Sequence, residues 1–247
     1  MLYIRIPEGP TRLAEDVMRV RTRLAIALLS TVVLAACETR TSTGVAGGSS
    51  ATVRLVNATG ASLDVVSGSS VSANNGNLGF GAHSSCIGVD ATNPNLTVRT
   101  TGTTTSLSGF SLSLATGGKY IVIAYVDGAG TTQFATFTTT DFVPSSGQSG
   151  LRVFDAATGT ATFDVHLTAP GDTLGVASAI NLAFARSTNF LGVAGGTVQV
   201  RLTTSGSRTV VLDAGNQSLT AAQNYILVIG PPASGTTVLR SFLATAC

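Results

Sequence analysis

The feature that most constrains this chain is that it says nearly the same thing twice. Val53-Arg54-Leu55-Val56-Asn57-Ala58 reappears as Leu151-Arg152-Val153-Phe154-Asp155-Ala156, and Leu63-Asp64-Val65 as Phe163-Asp164-Val165. Asn77-Leu78-Gly79-Phe80-Gly81 matches Asn181-Leu182-Ala183-Phe184-Ala185, and Ile87-Gly88-Val89 matches Leu191-Gly192-Val193. Leu96-Thr97-Val98-Arg99 answers to Val198-Gln199-Val200-Arg201, Tyr120-Ile121-Val122-Ile123 to Tyr225-Ile226-Leu227-Val228, and Phe137 to Phe242. The spacing between equivalents drifts along the chain, as it does when loops change length while strands persist. Matches kept in one order mean a single folding unit built twice.

Within each copy, short runs alternate apolar and polar residues: Val53/Leu55, Leu63/Val65, Leu96/Val98, Phe110/Leu112/Leu114 and Ile121/Ile123. Gly, Asn, Ser and Asp separate them. Period-two runs at this spacing predict half-buried antiparallel strands, about seven per copy, as in an immunoglobulin-like sandwich. The abundance of Thr, Ser, Val and Gly suits pleated strands joined by turns. The expected fold is therefore all-β: two tandem immunoglobulin-like (or related) antiparallel β-sandwiches, at residues 51–140 and 151–247. Residues 141–150, from Asp141 to Gly150, read as the linker.

The order VRLVNA, LDVV, LGFG, LTVRTTG, GKYIVIAYV, together with its second copy, resembles the DUF4397 family of exported bacterial β-domains. The resemblance covers nearly all of residues 51–245. It departs from the family opening, which often carries His-Ala-Ser-Pro where this chain has Asn57-Ala58-Thr59-Gly60 and Asp155-Ala156-Ala157-Thr158. It implies a β-domain and no particular activity.

Ahead of the repeats, Arg19, Arg21 and Arg23 precede the apolar run Leu24–Leu29, which resumes at Val32-Val33-Leu34. A positive segment followed by a short apolar helix is the pattern of an export signal. Such a helix reaches only ~17 Å, against a hydrocarbon core of ~30 Å. Leu34-Ala35-Ala36-Cys37 resembles the lipobox of bacterial lipoproteins. That resemblance implies thioether lipidation of Cys37, cleavage before it, and anchoring by several acyl chains. Residues 18–36 are then a lipoprotein signal peptide and residues 37–50 a polar, small-residue tether. The acidic residues Glu8, Glu15 and Asp16 fit poorly in a signal, so Met18 is expected to be the start and residues 1–17 a start-site artefact. Glu38, in place of Asp, favours the outer membrane by resemblance to Gram-negative sorting signals, with display on its periplasmic face or on the cell surface.

Charge narrows the partners. Residues 1–37 carry five of the fourteen Lys+Arg and three of the twelve acids, so residues 38–247 are formally neutral. Nucleic-acid binding needs a basic patch to collect phosphates, and this class is set aside. With Cys37 assigned to lipid, Cys86 and Cys247 remain, an even number for an oxidising compartment. A disulfide between them would close a very long loop, worth about 5 kcal/mol in the chain-entropy account. Against it, Cys86 aligns with the apolar Phe190, which equally fits a buried free thiol.

The residues that recur in both copies, Asp64/Asp164, Arg54/Arg152, Arg99/Arg201 and Tyr120/Tyr225, invite two readings. One is a shared scaffold of carboxylates on backbone N–H groups, cross-strand ion pairs and tyrosine corners. The other is an Asp–Arg ligand clamp. His83 and His166 do not align between copies and lack metal-ligand spacing. Asp155 and Asp164 could form a carboxylate pair, but Asp164 has a twin in the first copy. Asp127-Gly128 and Gly171-Asp172 read as turns without the ligand periodicity of a Ca²⁺ loop. Without Trp, and with its phenylalanines at core-like positions, the chain shows no sugar-stacking platform. No catalytic residue, cofactor or metal is expected. The expected role is structural, adhesive or protein-interacting at the cell envelope, with other envelope proteins as partners. The alternative is a ligand-binding module for peptide or glycan, and an enzyme ranks third.

Overall fold

The structure, a computed structural model, describes residues 49–247. The expected signal peptide, Met18, Cys37, Glu38 and almost all of the expected tether lie outside the described residues. Those residues are all-β, with fourteen strands and no helix among them.

The first copy supplies β1 (Ser50–Asn57), β2 (Leu63–Ser67), β3 (Ile87–Asp90), β4 (Leu96–Thr100), β5 (Lys119–Val126) and β6 (Thr132–Thr138). The sheet β3-β1-β5-β6 packs against the two-stranded sheet β2-β4. Val53, Leu55, Val122 and Ala124 meet Leu63, Val65, Leu96 and Val98 between them. The second copy supplies β7 (Gln148–Asp155), β8 (Phe163–Thr168), β9 (Ala179–Leu182), β10 (Leu191–Ala194), β11 (Gly196–Thr204), β12 (Val210–Leu219), β13 (Asn224–Gly230) and β14 (Arg240–Thr245). Its sheets are β10-β7-β13-β14 and β12-β11-β8-β9, enclosing a separate core around Leu151, Val153, Leu202 and Leu227. Each half thus sets a four-stranded sheet of equivalent strand order against a second sheet, two-stranded in the first half and four-stranded in the second.

The halves lie back to back. Residues of alternate parity on the central strands of the first half, Val56, Ile121 and Ile123, pack on Phe154, Ile226 and Val228 of the second. All six are fully buried. The central strands are therefore apolar on both faces, which is why Tyr120–Ala124 and Tyr225–Ile229 run without alternation.

Three expectations need correction. First, the central pairs β1–β5 and β7–β13 are parallel, while every other ladder is antiparallel. Parallel pairs occur where a sheet is covered on both faces, and these are the doubly covered strands. Second, Phe110, Leu112 and Leu114 form no strand. The chain leaves β4 after one bridge, Arg99 to Ser106, and these side chains lie on the edge of the first core, with Phe110 edge-on to Phe134 at 5.0 Å. The second half has β12 at that place. Third, the halves contain six and eight strands. In the first half single bridges, Leu63 to Leu78 and Arg99 to Ser106, stand where β9 and β12 pair in the second.

Candidate functional site: the seam between the sandwiches

At the seam Cys86 and Cys247 form a disulfide, with Cα atoms 5.9 Å apart and a sequence separation of 161. It joins the chain just before β3, in the first half, to the segment after β14, in the second. Arg54, on the seam face of β1, donates from Nη1 to the Thr245 carbonyl at 2.6 Å and from Nη2 to Cys86 Sγ at 3.1 Å. Lys119 Nζ donates to the Cys247 carbonyl at 3.1 Å.

The repeat places a second closure near the first, made from other chemistry, and Phe142 and Cys247 line one groove. Phe190, the counterpart of Cys86, stacks on Phe142 with centroids 5.2 Å apart and planes 22° apart. Arg152, the counterpart of Arg54, lies with its guanidinium 4.2 Å from the Phe190 centroid and 3.7 Å from Asp141 Oδ2. Burial lowers the affinity of both arginines for their proton, opposed at Arg152 by Asp141. Each Nε is buried and without a hydrogen-bond partner among the described residues, so each guanidinium is held mainly by its two terminal nitrogens or by ring faces.

A groove of about 460 Å³ opens here, lined in part by Lys119, Thr139, Phe142, Val143, Asn224 and Cys247. Asn224 Nδ2 donates to the carbonyls of Thr139 and Phe142, each at 2.8 Å, and so pins the connection between β6 and β7. Gly150 lies under this clamp, where a Cβ would collide with Asn224 Oδ1 and the Phe142 ring.

The other repeated polar residues are engaged with backbone. Asp64 accepts the Asn77 N–H and the Thr101 hydroxyl and pairs with Arg99 at 3.4 Å. Asp164 accepts the Asn181 and Gly206 N–H groups and the Ser205 hydroxyl. Asn77 and Asn181 are left-handed, at φ 52° and 56°, so in both halves a carboxylate fixes a costly turn. Donation from the Asn77 N–H chiefly holds the Asp64 carboxyl below its ordinary range, and the Gly206 N–H does so for Asp164. Arg99 and Arg201 share a position and not a role: Arg201 reaches Thr168 Oγ1 and the Asp172 carbonyl. Tyr120 Oη accepts the Ala115 N–H and Tyr225 Oη the Thr220 N–H, five residues upstream in each half. His166 is buried between the Gly175 carbonyl and Thr203 Oγ1, and His83 is exposed. Asp127 caps its turn through the N–H groups of Ala129 and Thr131. Asp155 and Asp164 share no partner: Asp155 Oδ1 accepts the Ala157 N–H inside the second half. No cluster of three or more metal-ligating side chains occurs among the described residues.

Sequence reasoning missed the Phe142–Phe190 closure. The signal was present in the alignment of Cys86 with Phe190, which marks a shared contact position whatever residue fills it.

A domain of unknown function, DUF4397, is found at residues 51–166. The DUF4397 match takes in the whole first sandwich and runs through β7 into β8 of the second. No curated protein matches the chain.

Proposed function

We propose that this chain is a lipid-anchored protein of the bacterial cell envelope, carrying two tandem DUF4397-type sandwiches as one rigid structural, adhesive or protein-interaction body. The observation that carries the reading is Leu34-Ala35-Ala36-Cys37 after a basic, then apolar, segment. Lipid on Cys37 places the protein at a membrane through acyl chains, and the Gly- and Ser-rich stretch to residue 50 holds the sandwiches away from it. The Cys86–Cys247 disulfide supports an oxidising compartment. The repeated Asp, Tyr and buried His side chains support a scaffold, because their polar atoms are committed to backbone and neighbouring hydroxyls. The outer membrane is the proposed destination in a Gram-negative host.

The experiment is metabolic labelling with a palmitate analogue in a bacterial host, comparing the natural chain with Cys37→Ser. The natural chain is expected to take up label and fractionate with membranes, and C37S to lose both. Equal labelling of the two refutes the anchor. Protease shaving of intact cells then separates surface display from a periplasmic location. A second reading, a binding module for peptide or glycan, is favoured by the groove beside Lys119, Phe142 and Asn224. Glycan-array and pull-down binding that is lost in Phe142→Ala supports it over a purely structural role.

A further inference from the structure

The two sandwiches use one device to close the end of their first strand, and one of them uses an acid where the other uses an amide. In the first half Asn57, the last residue of β1, is fully buried. Its Oδ1 accepts the Thr59 N–H at 2.8 Å, and its Nδ2 donates to the carbonyls of Leu78 and Ala61, each at 2.7 Å. Every polar atom of the amide is thus engaged. Asp155 stands at the same place, last in β7 and equally buried. Its Oδ1 accepts the Ala157 N–H at 2.9 Å, as Asn57 Oδ1 accepts Thr59. That leaves Oδ2 in the position of the amide nitrogen, buried and with no donor.

A carboxylate oxygen can only accept, whereas the surroundings of this position in the first half are carbonyl oxygens. The repeat-related acceptor in the second half is the Leu182 carbonyl, since Leu182 is the counterpart of Leu78 and pairs with Phe163 as Leu78 pairs with Leu63. A carboxylate oxygen set against that carbonyl in a dry site would be repelled, and a proton between them would make a hydrogen bond.

No charged neighbour changes the sign. On β7 itself, Arg152 points to the opposite face, over Phe137 and Phe190. On β8, Asp164 and His166 are bound to Asn181, Ser205 and Gly206, and to Gly175 and Thr203. β13 carries no charged residue, and Arg240 of β14 lies over Phe80 and donates to the Pro231 carbonyl. Arg186 is exposed, and its backbone carbonyl accepts the Asp155 N–H.

We propose that Asp155 is a proton switch in the second sandwich: the fold accepts it as a neutral acid donating to the Leu182 carbonyl, and ionisation loosens the closure of β7 against β9. Burial, opposed only by the Ala157 N–H, raises the carboxyl to about 6, which puts the transition near the pH of an envelope or its surroundings. A folded-state value above the unfolded one means that the stabilisation is complete in acid and is lost as pH rises through about 6.

Two measurements on the full-length protein test this. Carbon-detected NMR of the Asp155 carboxyl is expected to show a midpoint about two pH units above an ordinary aspartate. Titration in the ordinary range overturns the proposal, whatever the variants do. Urea unfolding of the natural chain is expected to become about tenfold more favourable between pH 5 and pH 7.5, and Asp155→Asn to abolish that rise by restoring the amide of Asn57. A rise of the same size in D155N also overturns it.

Discussion

Cys86 and Phe190 occupy the same place in the two sandwiches, and each reaches across the seam to the end of the other half. Cys86 is bonded to Cys247, which follows β14, and Phe190 is stacked on Phe142, which follows β6. The pair of closures obeys the repeat, one a covalent bond and the other ring stacking backed by Arg152.

The covalent closure is expected to act through the unfolded chain. A link spanning 161 residues removes much loop entropy, so C86S/C247S should lose about 3–5 kcal/mol of unfolding free energy. Urea unfolding of the natural protein with and without dithiothreitol checks this. If the cross-link is the cause, the reduced protein and the double variant coincide.

The aromatic closure acts in the folded state. Phe142→Ala removes a ring stacked on Phe190 and exposes the buried Arg152 guanidinium, at an expected cost of about 2–4 kcal/mol. Combined with C86S/C247S, the losses should depart from additivity, because Phe142 and Cys247 line one groove and Asn224 bonds to the chain beside both. Chemical denaturation of all three variants at one pH measures the departure.

At Gly230 the neighbouring half supplies the missing side chain. A Cβ there would strike the Phe80 ring, which is held edge-on to Phe242 at 5.2 Å and under Arg240 at 3.5 Å. Its counterpart in the first half is Tyr125, whose own ring meets Phe184 at 5.8 Å. Gly230→Ala should cost about 1–3 kcal/mol by overpacking, and Phe80→Leu in the same chain should return part of it. Melting temperatures of the single and double variants check both.

Much of this was legible in the residues. Alternation at Val53/Leu55 and Leu63/Val65 located the inner faces, because those strands have one core on one side. The repeat located equivalent polar pairs. What alternation could not convey was the second apolar face of β5 and β13, since a strand buried on both sides has no period to read. Nor could Phe110, Leu112 and Leu114 reveal that they pack as an extended edge without a ladder, because packing and pairing ask for the same residues. The seam was hidden for a related reason: Ile121 and Ile123 face one core by pattern alone and belong to another.

Acid and base should act on different residues. Asp64 and Asp164 are held below the ordinary carboxylate range by donated N–H groups. Their contribution is present above the unfolded value and is lost as pH falls through the folded one. Asp155, raised to about 6, has the opposite sign, so its contribution fades as pH rises. Stability should peak at about pH 5. Urea midpoints at several pH values should show D155N flattening the alkaline side alone. Asp64→Ala, which strands the Asn77 N–H, should cost about 1–3 kcal/mol at neutral pH.

The seam itself can be tested as core. Ile123 and Ile226 are fully buried between the halves, as Val122 and Leu227 are fully buried within them. If the halves only touched, truncating a seam residue would cost little and each sandwich would unfold separately. Burial to zero exposure on both sides argues for a continuous interior, in which Ile123→Ala or Ile226→Ala costs about 2–5 kcal/mol, as in any well-packed core. The expected urea transition is single, with the same midpoint by tyrosine fluorescence and by far-ultraviolet circular dichroism. Ile226→Asp would bury an unpaired carboxylate in that interior, and should split the transition in two, because each sandwich retains its own core while the surface that joins them is lost.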